Sequence, residues 1–128
     1  MRLLLDTHVF LWWILDDPRL SARARRLIAD PRNEVLFSAA SAWEIAVKTA
    51  PGRLSLPQRP ERFVPRQLAI NGFQPLPIRL EHALRVYGLP DHHRDPFDRL
   101  LITQAIEDRL TIVTADPQFG KYQVRVVW

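Results

Sequence analysis

Apolar residues in this chain come in short runs that tend to end on an acid. Leu3–Leu5 is a continuous apolar triplet closed by Asp6, the pattern of a strand buried on both faces. Phe10–Leu15 is apolar around its whole circumference and starts a helix, with Thr7 the expected cap. Ser21 opens a second helix, SARARRLIAD, that stops near Asp30-Pro31. Glu34–Ser38 (EVLFS) reads as a second strand, and Ser41–Ala50 as a third helix ended by Pro51-Gly52. Residues 51–60, PGRLSLPQRP, are a connecting loop. A helix follows to about Asn71, in which Pro65 predicts either a kink or a later start. Gln74–Ile78 is a short strand whose two prolines place it at a sheet edge. Leu80–Gly88 suits a helix, LPDHHRD a loop, Pro96–Arg109 a long helix, Leu110–Ala115 a buried strand and Val124–Val127 a last one.

Strands alternating with helices predict an α/β fold, with helices on both faces of a mainly parallel sheet. Ligands of such sheets bind beyond the carboxyl ends of the strands. Asp6 and Asp116 each follow a strongly strand-like run, so two central parallel strands would carry both carboxylates to one rim. At a strand spacing of about 4.8 Å they can share a cation.

Length and composition narrow the picture. A chain of 128 residues, 47% hydrophobic and 25% charged, has the size and balance of a single globular domain over 1–128. With no cysteine there are no disulfides or thiolate–metal sites, in keeping with a reducing cytoplasm. The opening apolar run is interrupted by Asp6 and followed by Asp16-Asp17, which fits neither a signal peptide nor a membrane span, so a cytoplasmic chain with no membrane partner is expected. The net charge of +4, carried mostly by arginine, fits either a plain solvated surface or a polyanionic partner.

Three further acids bear comparison with Asp6 and Asp116. Glu44 is the sole charge from Ala39 through Ala46; Ser41-x-x-Glu44 has the form of a capping box, and Lys48 lies at i+4. Asp95-Pro96 reads as an N-cap followed by proline at the first helical position. Asp98 shares a stripe with Ile102 and Ala105, and an acid on such an apolar face is costly to desolvate unless a cation meets it. Gathered on one rim, Asp6, Glu44, Asp98 and Asp116 would repel one another until a hard divalent ion joined them. Carboxylate ligation points to Mg²⁺, or Mn²⁺, rather than zinc. His8 and His82 read as half-buried helix residues, while His92-His93 precede Asp95 in a loop that can approach the site.

Four segments, LLLDTHVFLWW, SAASAWEIAVK, LPDHHRDPFDRLLITQA and TIVTADPQFGKY, occur in the order seen in PIN domains. The chain resembles that family, specifically VapC-type toxins of toxin–antitoxin pairs. The resemblance implies a three-layer α/β/α sandwich and a Mg²⁺-dependent endoribonuclease that dimerises with a second copy and is silenced by an antitoxin protein. It carries the family's acids onto Asp6, Glu44, Asp98 and Asp116, with Asp6, Asp98 and Asp116 as metal ligands and Thr7 in the small hydroxyl position. Glu44 would orient the attacking water, accept its proton or ligate the metal through water, and cleavage would leave a 5′-phosphate and a 3′-hydroxyl. Arg94 and Arg99 are candidates for holding the RNA backbone. The apolar cluster Phe10, Leu11, Trp12 and Trp13 is either core or a groove for the antitoxin. Rival readings are a non-catalytic RNA-binding scaffold and an aspartate phosphatase. The phosphatase chemistry wants a second acid two residues after Asp6, where this chain has His8.

Overall fold

In the computed structural model, which describes residues 1–128, alternation along the strands separates two apolar cores. The elements run β1 (Arg2–Leu5), α1 (Thr7–Ile14), α2 (Ala22–Ala29), β2 (Glu34–Ser38), α3 (Ala39–Thr49), α4 (Pro60–Asn71), β3 (Gln74–Leu76), α5 (Leu80–Arg85), α6 (Pro96–Asp108), β4 (Thr111–Val113) and β5 (Arg125–Val127). Short 3₁₀ turns cover Val86–Gly88 and Pro117–Lys121. Successive strand side chains point to opposite faces. Leu3, Leu5, Val35, Phe37 and Val113 therefore pack with Phe10 of α1, Ala24 and Ile28 of α2, and Phe63 and Val64 of α4. Leu4, Leu36 and Ile112 face the other way, onto Leu101, Ile102 and Ala105 of α6. The result is the expected α/β/α sandwich.

All the strand pairs are parallel, in the order β3-β2-β1-β4-β5. The chain first steps outward on one side of β1 and later returns to its other side. The β1–β4 junction is thus the point where the winding reverses and a crevice opens beyond the strand ends. Register pairs Leu5 with Val113, and the Asp6 N–H donates to the Val113 carbonyl at 3.1 Å.

Several local expectations change. Asp6, not Thr7, caps α1, accepting from the His8 N–H at 2.8 Å, because the helix begins directly at the strand end. Ser38 likewise caps α3 by accepting from the Ala40 N–H, so Ser41 lies inside the helix and Ser41/Glu44 form no capping box. Pro65 is accommodated within α4, which starts with proline at Pro60 and ends at Gly72 in the left-handed conformation. β3 is an edge strand, as Pro75 within it required.

The Phe10–Trp13 cluster belongs largely to the molecule's own packing. Phe10 and Leu11 are buried, Phe10 lying 4.2 Å from the Phe37 ring. Trp13 donates to Asn71, and Trp12 packs between Trp128 and the Arg19 guanidinium. No helix is long and apolar enough to cross a membrane.

α6 ends at Arg109, a non-glycine residue held at φ 55° while the Leu110 N–H reaches back to the Ala105 carbonyl. A Cβ is unfavourable in that conformation. Arg109→Gly is expected to stabilise the fold by about 0.5–1 kcal/mol, the relief of strain exceeding the entropy glycine adds to the unfolded chain. Urea denaturation of the two proteins measures it.

Candidate metal centre

Four elements deliver carboxylates to the crevice. Asp6 arrives on the end of β1 and is buried. Its Oδ1 accepts the α1 cap bond, while Oδ2 accepts from the Thr114 hydroxyl at 2.6 Å. Thr114 Oγ1 in turn accepts from the Asp116 N–H at 3.0 Å, so one hydroxyl ties the first acid to the last. Asp116 caps the 3₁₀ turn after β4, with Oδ1 accepting from the Gln118 N–H. Asp98 lies in the first turn of α6, whose cap is Asp95; the Asp95 Oδ1 accepts from both the Phe97 and Asp98 N–H groups. Asp95 is therefore a capping residue beside the site.

Glu44 enters from α3 and is buried. Lys48 donates to its Oε2 at 2.5 Å, whereas Oε1 is buried with no hydrogen-bond partner. Against α3, the Thr7 hydroxyl donates to Ser41 Oγ at 2.8 Å, locking α1 to the helix that carries Glu44.

The electrostatic centre of the cluster is Asp98. Burial, followed by the charges of Asp6, Asp95, Glu44 and Asp116, pushes its carboxyl up to about 8. This crowding, the orphaned Glu44 oxygen and a donor set made chiefly of carboxylates fit a hard divalent cation. The tightest group of potential ligand atoms differs from the expected trio: His93, Asp98 and Asp116 lie within 4.8 Å of one another, while Asp6 stands outside that set. His93 Nε2 is 3.0 Å from Asp98 Oδ2 and 3.0 Å from Asp116 Oδ2.

Sequence reasoning put His93 only near the site and missed Thr114 altogether. The visible signal for Thr114 was a hydroxyl at a strand end two residues before an acid. His8 proves exposed and His82 fully buried, rather than each half-buried. Arg99 is not available for RNA: its guanidinium donates to the carbonyls of Val86, Leu89, Pro90 and His93, stapling the loop before α6. Arg94 is exposed.

A profile of the PIN domain family matches residues 3–124. The chain belongs to the PIN domain family. Over 79 residues this PIN domain is 41% identical to Ribonuclease VapC16 of Mycobacterium tuberculosis; the alignment covers 57% of this chain and 56% of that protein, little more than half of the relative's length. Among solved structures, VapBC2 from Rickettsia felis, bound to a DNA fragment from its promoter, matches with a TM-score of 0.72 at 13% identity over 99% of this chain and 98% of that one. FitAcB from Neisseria gonorrhoeae matches at 0.66 and 21% identity over 98% and 96%. At such identities the likeness is one of fold.

The raised Asp98 carboxyl sets a sign for pH dependence. Between its ordinary value of 3.8 and about 8, the folded PIN domain holds a proton that the unfolded chain has released. Stability therefore falls as pH rises through that window. Urea midpoints of EDTA-treated protein are expected to decline from pH 5 to pH 8, and Asp98→Asn to flatten the decline.

Proposed function

We propose that this PIN domain is a divalent-metal-dependent endoribonuclease, the toxin member of a toxin–antitoxin pair. The observation that carries the reading is the partly buried Asp98 carboxyl, surrounded by Asp6, Glu44, Asp95 and Asp116 at the switch point of a parallel sheet. A fold does not bring these charges together for stability, since each opposes the others. The partial identity to a named ribonuclease supports the choice of RNA as substrate.

Asp98 and Asp116, with Asp6 behind them, would hold Mg²⁺ or Mn²⁺. When bound, such an ion lowers the pKa of a water ligand and offsets charge on the scissile phosphate. Glu44 Oε1, without a protein partner, would accept a proton from the attacking water or orient it. Lys48 donates to Glu44 Oε2, and is itself held charged by that contact. Thr114 fixes the Asp6 carboxylate so that the pocket does not collapse or splay as charge shifts within it.

The expected protein partners find apolar surface away from Phe10–Trp13. A groove bounded by Phe37, Ala42, Val64, Leu68 and Leu76 suits an apolar segment of an antitoxin. Leu80, Leu84 and Tyr87, exposed by 72%, 66% and 99%, follow one another at helical spacing and suit self-association.

Purified protein incubated with single-stranded RNA is expected to cut it with Mg²⁺ or Mn²⁺ and not with EDTA. Asp6→Asn, Asp98→Asn and Asp116→Asn should each reduce the rate by roughly 10² or more. Binding without cutting by the wild type would favour the scaffold reading instead. Leu84→Glu with Tyr87→Arg is expected to shift sedimentation toward the monomer.

A further inference from the structure

His93 is the one residue of the central cluster whose part the catalytic reading leaves unused, and it is held on every side. Its N–H donates to the Tyr122 hydroxyl at 2.7 Å, and its carbonyl accepts from Arg99 at 3.0 Å. The ring meets Phe119 edge to face with centroids 5.7 Å apart. Nδ1 accepts from the Asp95 N–H at 3.2 Å. That bond decides the tautomer: with Nδ1 an acceptor, the ring proton sits on Nε2. Nε2 therefore donates to Asp116 Oδ2, with Asp98 Oδ2 at the same distance of 3.0 Å.

We propose that His93 is a positioning residue that competes with the divalent ion, its Nε2–H bridging Asp98 and Asp116 until the ion takes those oxygens. The inference rests on the metal reading of the site. Asp116 Oδ1 is committed to the Gln118 N–H, so Oδ2, the oxygen the ring engages, is the one turned to the cluster. A dication approaching it meets the positive end of the Nε2–H bond. The ring cannot simply become a ligand where it stands. Ligation needs a bare Nε2, which moves the proton to Nδ1 and sets it against the Asp95 N–H, donor to donor. Asp95 has little freedom to yield, because its side chain caps α6. The backbone at His93 is pinned, so the route left is rotation of the side chain away from the two carboxylates.

This device has a purpose in the unliganded protein. Two carboxyl groups joined by one N–H keep their positions without a full positive charge, so the pocket stays formed and open to exchange with a metal.

The test is calorimetric titration of wild type and His93→Ala with Mn²⁺, alongside thermal melts with EDTA and with saturating Mn²⁺. His93→Ala is expected to bind Mn²⁺ about tenfold more tightly, to melt lower than wild type in EDTA, and to recover most of that deficit in Mn²⁺. Weaker or unchanged Mn²⁺ binding would overturn the proposal. Absence of uptake by the wild type would instead overturn the metal reading beneath it. Should His93→Ala fail to fold, ¹⁵N NMR of the wild-type imidazoles during Mg²⁺ addition decides the matter. Loss of the His93 Nε2–H hydrogen bond to a freely rotating ring supports displacement; a His93 ring unmoved by saturating Mg²⁺, or a nitrogen ligated in place, refutes it.

Discussion

The constraint on which the rest of this structure depends is the forced company of like charges. Parallel pairing of β1 with β4 sets Asp6 and Asp116 on one rim, and the first turn of α6 adds Asp98. Two unit charges about 4 Å apart repel by roughly 4 kcal/mol at an effective dielectric of 20, a large share of the stability of a small domain. Apolar packing on both faces of the sheet supplies the opposing force. The polar neighbours then distribute the load: Thr114 between Asp6 and Asp116, His93 between Asp116 and Asp98, and Lys48 on Glu44. No lysine or arginine is brought between Asp98 and Asp116; the group that meets both is the His93 ring.

Much of this arrangement is readable in the order of residues. Short apolar runs with alternating helices announce a parallel sheet, and EVLFS lies at its predicted bounds. Acids that end strands must share a rim if the strands are parallel neighbours, and Asp98 betrays itself by sharing a stripe with Ile102 and Ala105, both buried. Caps were harder to place because several residues in a row had the right chemistry. Asp6 and Thr7, or Ser38 and Ser41, each offer an oxygen, and only the exact end of the strand decides which one the helix uses. Long-range polar partnerships were less legible still. Nothing local to Thr114 or His93 says which carboxylate it meets, since those contacts arise from the winding of the chain. Arg99 shows the converse: a guanidinium that looks free in sequence is consumed by four backbone carbonyls.

That staple ties the loop to the centre. By gathering the carbonyls ahead of α6, Arg99 converts residues 86–95 from a tether into a rigid arm, and Tyr122 braces the same arm through the N–H groups of His92 and His93. Substitutions here would act on the centre without touching a carboxylate.

The pairing of the first strand with the fourth also bears on how the protein is made. β1 is synthesised long before its neighbour β4, which spans Thr111–Val113. A chain interrupted before Pro96 possesses Asp6 and Glu44 but neither Asp98 nor Asp116. Prematurely terminated products thus lack the composite pocket, which comes into being only once α6 and β4 have been added.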